Sequence, residues 1–243
     1  MTEDISKNKV HRRGFDPMDE RWFSEEAVRV LRIAEEEICW LLNRNYKINP
    51  VIEFVGNHYQ LSVRQRTALL RACCSDFQLQ ERRAKELGHN DLWEEQVFID
   101  GFNLVIALEV ALSESIVVLG RDGVIRDMAG LRGSYRLIEK TDTALELIFK
   151  ALKRLKIGKA KFYLDAPVSN SGKLKLQIQK YGEVWSLPVE VELVPNPDVV
   201  LMDLERVITG DSVILDSCKS WYNLAGFILA QDIKNAQIVD LRL

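Results

Sequence analysis

The chain has 243 residues, enough for one large or two ordinary domains, and its 47% hydrophobic and 28% charged residues are typical of a soluble globular protein. Its net charge of −3 excludes a global basic field for nucleic acid, so a nucleic-acid partner would need local basic patches. No signal peptide and no apolar run of about 18 residues is present, which predicts a cytoplasmic protein without a membrane partner.

The chain contains four cysteines and three histidines, and none of the cysteines forms a C-x-x-C pair. This spacing does not match the ligand patterns of structural zinc sites, so no such site is predicted. The adjacent Cys73 and Cys74 fall within a helical pattern, and we expect them to be packed thiols in a reduced protein.

The N-terminal part of the chain has the apolar spacing of helices. One helix is predicted to begin after Ser24, which can cap it, and to end around Arg44–Tyr46. The segment Val51–Gln60 is short and contains Gly-Asn, so a strand and a loop both remain open for it. Helical spacing returns across Val63–Glu86, and residues 1–93 are therefore predicted to form a small, mainly helical N-terminal domain.

Residues 94–243 show a different sequence pattern, in which short apolar segments alternate with segments of helical spacing. The predicted strands are Val97–Asp100, Lys161–Asp165, Val189–Val194, Val207–Asp211 and Gln237–Leu241. The predicted helices are Asp142–Leu155, Gly172–Tyr181 and Trp221–Gln231. This alternation predicts an α/β domain with a mostly parallel sheet that is covered on both faces. An Arg-Asp-Gly turn between two apolar runs predicts an inserted β-hairpin near 115–128.

Aspartates follow several of these apolar segments. Asp100, Asp165 and Asp211 end three of them, and Asp198 follows a fourth after a short Pro-Asn-Pro turn. If the strands are parallel, these carboxylates meet at one edge of the sheet and repel one another unless a cation compensates. The set therefore predicts a bound Mg²⁺ or Mn²⁺ that can activate water for attack on a phosphate. Each aspartate also fits a turn or helix N-cap, and that interpretation remains open.

Three short motifs resemble those of the PIN-like nucleases, especially their NYN branch. Asp100-Gly101-Phe102-Asn103 is similar to the D-G-x-N opening of that branch, and Asn196–Leu201 and Thr209–Ser212 look like two later motifs, in the same order. The resemblance covers about residues 96–243. It implies a PIN-like three-layer sandwich with ribonuclease activity.

The resemblance also implies roles for individual side chains. Asp100, Asp198 and Asp211 would hold the metal, and Asn103 would support them. Asp165 would complete the catalytic set by placing water or a second ion.

The sequence departs from the NYN branch at two points. Val213 stands where a second aspartate is often found, two residues after Asp211. The long helix that usually follows the first strand is expected to be replaced by the hairpin. Both departures concern catalytic competence more than the fold.

The whole chain also resembles an uncharacterised two-domain family of archaea and bacteria, labelled domain of unknown function 434. The matching motifs are Leu41–Tyr46, Val55–Leu61, Arg64–Arg66, Asp100–Asn103, Arg121–Asp127 and Gly133–Arg136. This resemblance spans almost the full chain and implies no activity.

Arginines are concentrated in two places that could contact phosphate. The N-terminal group is Arg64 and Arg66, for which a solvated, ion-paired helix face is the alternative. The second group lies near three glycines and consists of Arg121, Arg126, Arg132 and Arg136. It is the better candidate for phosphate contact, with an internal Arg126–Asp127 ion pair that pins the hairpin as the alternative. The segment His11–Arg13 is interpreted as a mobile basic tip.

The leading functional hypothesis is therefore Mg²⁺- or Mn²⁺-dependent hydrolysis of a phosphodiester, with RNA as the partner. The second is a non-catalytic RNA- or nucleotide-binding module on a degenerate PIN-like fold. The third is a protein-interaction scaffold, in which the aspartates of the acidic edge serve only to stabilise turns and helix starts. A homo-oligomer is compatible with all three.

Overall fold

The computed structural model describes residues 11–130 and 133–242. The helices are α1 (Asp19–Trp22), α2 (Glu25–Leu42), α3 (Ile48–His58), α4 (Val63–Ala72), α5 (Asp76–Ala84), α6 (Gly101–Leu112), α7 (Glu139–Arg154), α8 (Ser171–Val184), α9 (Pro197–Leu201), α10 (Ser212–Ser217) and α11 (Leu224–Asp232). The strands are β1 (Gln96–Asp100), β2 (Ile116–Leu119), β3 (Ile125–Asp127), β4 (Lys159–Asp165), β5 (Val189–Val194), β6 (Val207–Ile208) and β7 (Gln237–Asp240). The predicted α/β class, with a mostly parallel sheet and a helical N-terminal region, is confirmed.

The N-terminal helices begin at side chains that cap them. Ser24 accepts a backbone N–H of α2, and a serine and a glutamine form a capping box at the start of α4 and again at the start of α5. The prediction of one continuous helix across Val63–Glu86 is wrong, because Ser75 and Gln78 begin a new helix. Cys73 and Cys74 lie in the break between the two helices, where both are buried.

Helix α3 occupies most of the segment Val51–Gln60, for which only a strand or a loop was expected. Its apolar residues Val51, Ile52 and Val55 are buried at helical spacing. Pro50 lies in the first turn, where a helix does not need the missing N–H group. A Gly-Asn pair within the segment suggested a turn, but burial of the apolar face favours the helix.

The first sheet contains four parallel strands in the order β5-β4-β1-β6. Apolar side chains on both faces are buried because helices cover each side. Phe162, Ile99 and Leu164 belong to the core shared with α6, α7 and α8. Tyr163 and Val207 point to a second core that includes residues of α9 and α10. The domain therefore has three layers, with the sheet in the middle.

The second sheet contains three strands in the order β3-β2-β7. Strands β2 and β3 pair antiparallel around the Arg121-Asp122-Gly123 turn, while β7 runs parallel to β2. Val118 of β2 and Val239 of β7 belong to the same buried cluster as apolar residues of α2, α3 and α4. The helical region is thus packed directly on the second sheet.

Helix α6 follows β1 immediately, which corrects the expectation that a hairpin replaces this helix. Its residues from Leu104 to Ala111 are buried, so the helix carries no amphipathic pattern that would reveal it in the sequence. The hairpin comes after α6.

The segment before α1 is attached to the α/β domain, which corrects the interpretation of His11–Arg13 as a mobile tip. Arg12 Nε donates to the carbonyl of Ser113 at 2.9 Å. Arg13 forms an ion pair with the buried Glu109 of α6 and lies over the ring of Tyr135. Within the described ranges, none of the helices is both long enough and apolar enough to span a bilayer.

Candidate active site

Polar side chains gather at the carboxyl edge of the first sheet, where β1 and β6 are neighbours. Asp100 ends β1 and Asp165 ends the adjacent β4, while Thr209 follows β6. After β1 the chain adds β4 and then β5 on one side of β1. It then returns and adds β6 on the other side of β1. Ligands of open α/β sheets bind at such a topological switch point.

A short hydrogen-bond network fixes the loop after β6 to the end of β1. The hydroxyl of Thr209 donates to Asp100 Oδ2 at 2.9 Å and accepts the backbone N–H of Asp211 at 3.0 Å. Asn103 Oδ1, in the first turn of α6, accepts the N–H of Gly210 at 2.7 Å. The side chains of Asp100 and Asn103 therefore hold the Thr209–Asp211 loop in place.

Gly101 is required by the close approach of neighbouring strands at this point. A Cβ at Gly101 would lie 2.5 Å from Leu164 Cδ2 and 3.1 Å from the carbonyl oxygen of Tyr163. An alanine here would require both the Leu164 side chain and the Tyr163 backbone to shift, so glycine suits the close approach of α6 to β4.

Burial and neighbouring aspartates raise the pKa of two carboxyl groups at this edge, Asp100 and Asp198. Burial raises the pKa of Asp100 to about 7, and the charges of Asp211 and Asp198 raise it as well, against the hydrogen bond from Thr209. Burial raises the pKa of Asp198, with further contributions from Asp211 and Asp165. Burial also raises the pKa of Asp165. The edge disfavours further negative charge and favours a cation.

The carboxylates approach one another without forming a tight cage. Among the described residues, no three of these aspartates bring their oxygens within 4.8 Å of one another. Asp211 also caps α10, because its Oδ1 accepts the N–H of Val213 at 2.7 Å. Mg²⁺ usually keeps several waters and takes only one or two protein carboxylates directly. An ion at this edge would therefore be hydrated, and the remaining carboxylates would contact it through water.

The predicted phosphate-binding arginines are mostly engaged inside the protein. Arg126 is buried, its guanidinium donates to Asp122 and to the carbonyl of Gly210, and these donors are not accessible to a substrate. This corrects the expectation of a phosphate contact, and the internal partner is Asp122 instead of the predicted Asp127. Arg121 bonds to Asp76 and to the carbonyl of Cys74.

The N-terminal arginines are used in a similar way. Arg64 forms two hydrogen bonds with Asp19, and Arg66 donates to the Asn57 side chain and to backbone carbonyls that include that of Leu61. The interpretation as an ion-paired helix face describes Arg64 better than a phosphate contact does.

Arg136 is a predicted arginine whose position still allows it to contact a phosphate bound at the acidic edge. It is exposed, and its loop bonds to the turn after β4, where Tyr135 N–H donates to Ser169 Oγ at 3.0 Å. That turn follows Asp165 directly. Arg132, predicted for the same role, lies outside the described residues.

Sequence reasoning missed a buried charge cluster behind the site. Asp122 accepts from Arg82 at 2.6 Å and from Arg126 at 2.6 Å, and Arg126 Nε donates to the carbonyl of Gly210 at 2.7 Å. Burial acts to raise the pKa of Asp122, but the two guanidinium groups outweigh it and the pKa is lowered. The available signal was the Arg126 side chain within an apolar strand segment. Arg82 of α5, the second arginine that bonds to Asp122, is too distant in sequence to infer.

Fold and site together define a two-part protein, a helical region followed by a three-layer α/β domain with an acidic sheet edge. Residues 89–227 match the family described as domain of unknown function 5616, and residues 30–85 match the one described as protein of unknown function 434. The uncharacterized protein MJ0935 of Methanocaldococcus jannaschii is 39% identical over 186 residues, 76% of this chain and 88% of that protein. No solved structure matches the chain. The chain belongs to this two-domain family of unknown function.

Proposed function

We propose that the protein is a Mg²⁺- or Mn²⁺-dependent phosphodiester hydrolase that acts on RNA. The observation that carries the proposal is the position of Asp100 and Asp211 at one sheet edge, where the Thr209 hydroxyl bonds to the Asp100 carboxylate and to the backbone of Asp211. The charges of Asp211 and Asp198, which raise the pKa of Asp100, support it. A cluster of carboxylates at a topological switch point is suited to a hard cation and to a phosphate-containing ligand.

The strand order supports a PIN-like fold for the α/β domain. Four parallel strands in the order β5-β4-β1-β6 lie between two helical layers, and the motif around Asp100 and Asn103 comes at the end of the central strand β1. Thr209 and Asp211 follow β6, as the resemblance to the NYN branch implies.

Each side chain has a distinct task in the proposed reaction. Asp100, Asp198 and Asp211 would hold the ion, which when bound polarises the phosphate and favours ionisation of water. Thr209 fixes the orientation of Asp100, and Asn103 fixes the loop that carries Asp211. Asp165, at the end of the neighbouring strand, would orient water for in-line attack. Arg136 would bind the RNA backbone from the adjoining loop.

The first test is Mn²⁺ binding by calorimetry on the wild type and on Asp211→Asn. We expect binding to weaken at least tenfold in Asp211→Asn, because the variant loses a charge but keeps a side chain that can cap α10. Asp203→Asn is the matched control, since Asp203 is exposed and lies before β6, at the other end of that strand. Equal Mn²⁺ affinity of all three proteins would contradict this site.

The second test is cleavage of a labelled single-stranded RNA of mixed sequence in the presence of Mn²⁺. Wild-type protein should cleave the RNA, and Asp211→Asn should lose most of the activity. Asp203→Asn should retain it. Intact RNA with metal-loaded wild-type protein would contradict hydrolysis of this substrate class.

A non-catalytic RNA- or nucleotide-binding module is the second candidate. It is favoured by the spacing of the carboxylates, no three of which lie within 4.8 Å in the described part of the chain, and by Val213 in place of a second aspartate. RNA binding in the presence of a chelator, combined with intact RNA in the presence of Mn²⁺, would support this candidate over the hydrolase.

A further inference from the structure

Three buried side chains with metal-ligand chemistry meet in the helical region, away from the acidic sheet edge. Glu35 and Cys39 lie one turn apart on α2, and Cys73 comes from the break between α4 and α5. One ligand atom of each lies within 4.8 Å of those of the other two. Across residues 11–130 and 133–242, no other group of three carboxylate, thiol or imidazole side chains comes this close together.

Glu35 is not satisfied by the protein groups around it. The thiol of Cys39 donates to its Oε1 at 2.9 Å, and Arg121 Nε lies 3.9 Å from the same oxygen. Its Oε2 is buried without a hydrogen-bond partner among the described residues, and the residue is 0% exposed. A buried carboxylate oxygen without a partner is unfavourable, and a cation bound beside the two thiols would satisfy it.

We propose that Glu35, Cys39 and Cys73 bind one Zn²⁺ ion that joins α2 to the junction between α4 and α5. Ligands of tetrahedral zinc at Zn–S of about 2.3 Å and Zn–O of about 2.1 Å lie roughly 3.5–3.8 Å from one another, which is inside the 4.8 Å limit that the three ligand atoms of this cluster meet. The fourth ligand would be water, because the Cys74 thiol does not belong to this group.

Most of the negative charge of the cluster would be offset by such an ion. Two thiolates and one carboxylate carry three negative charges, of which Zn²⁺ offsets two, and Arg121, which also pairs with Asp76, lies 3.9 Å from Glu35. Sulfur ligands favour zinc over Mg²⁺ and Mn²⁺, so this site is chemically distinct from the acidic sheet edge and does not depend on the proposed hydrolase activity. Cys39 and Cys73 are far apart in sequence, which explains why no zinc motif was visible there.

The test is metal analysis of the full-length protein purified under reducing conditions, loaded with Zn²⁺ and freed of excess metal. We expect one zinc per chain by elemental analysis. Replacement by Co²⁺ should give the near-ultraviolet absorption of thiolate–cobalt charge transfer. Cys39→Ala and Cys73→Ala should lose the ion, and Glu35→Gln should bind it at least tenfold more weakly. Cys218→Ala is the matched control, because Cys218 is also buried but lies in a different core cluster, and should bind normally.

Three outcomes would overturn the zinc proposal. Absence of both zinc and the cobalt absorption in folded wild-type protein would overturn the proposal, as would full zinc retention in the Cys39→Ala/Cys73→Ala double variant. A Cys39–Cys73 disulfide without metal in the purified protein would also overturn it. If the alanine variants fail to fold, the cobalt spectrum of the wild type and the near-isosteric Glu35→Gln variant still decide the question. Cys74→Ala is a further control, which should keep both the ion and the charge-transfer band.

Discussion

At the scale of the residue, Asp100 combines burial with a position at the edge of the sheet. Its pKa, raised to about 7 by burial and by neighbouring carboxylates, lies above that of an aspartate in the unfolded chain. The folded state therefore binds this proton more tightly than the unfolded state. The contribution of protonated Asp100 to the free energy of unfolding is fully present below about pH 4, and it is lost as the pH rises through 7.

The variant Asp100→Asn isolates this effect in metal-free protein. We expect it to exceed the wild type in unfolding free energy at pH 8 by on the order of 3 kcal/mol, and the difference to shrink toward pH 4. Urea denaturation at several pH values in the presence of a chelator measures it. Parallel stability curves for the two proteins would show that Asp100 does not titrate in this way.

Arg126 acts on the candidate site through the backbone of Gly210. The substitution Arg126→Met removes both this contact and one partner of the buried Asp122, whose other partner, Arg82, remains. Loss of one member of a buried ion pair costs about 3–5 kcal/mol, and the remaining partner places the expected value near the lower end. Thermal and urea denaturation check this value. Arg136→Met, at an exposed position, should change stability by less than about 0.5 kcal/mol.

At the scale of the element, the junction of β1 and α6 depends on Gly101. Gly101→Ala should destabilise the protein by about 1–3 kcal/mol, because the new methyl group meets the carbonyl oxygen of Tyr163 as well as the movable end of Leu164. Gly172→Ala provides the contrast, since no atom lies within 4 Å of its Cβ position in α8. That change should stabilise the protein by about 0.5–1 kcal/mol. Equal effects on the urea midpoint would contradict the close approach at β1.

The same elements explain what sequence could and could not predict. The strand-end aspartates were visible because each follows an apolar run, and parallel pairing then brings them to one edge. Helix α6 was not visible as a helix, because its fully buried surface lacks the alternation of polar and apolar residues. The capping box at Ser75 was overlooked within a longer helical pattern. The internal roles of Arg64 and Arg126 depend on partners such as Asp19 and Asp122 that only the tertiary fold identifies.

At the scale of the whole molecule, the helical region and the second sheet share one core. Leu241, just after β7, is 0% exposed and belongs to the same cluster as Leu31 and Ile38 of α2. Leu241→Ala should therefore destabilise the protein by about 2–5 kcal/mol and increase amide hydrogen exchange in α2 and α4. Leu176→Ala, at a 67% exposed position, is the control and should leave both unchanged. Faster exchange confined to β7 would contradict a shared core.

The place of Leu241 and Leu31 in one buried cluster also constrains the order in which this core can be completed. A ribosome releases α4, which ends at Ala72, long before β7, which begins at Gln237, so the β7 part of the core is added last. During that interval the apolar surface that Val239 and Leu241 cover stays exposed, and the edge of β2 that pairs with β7 is unpaired. Because contacts between segments so far apart in sequence form slowly, we expect the docking of β7 to be a late step of folding.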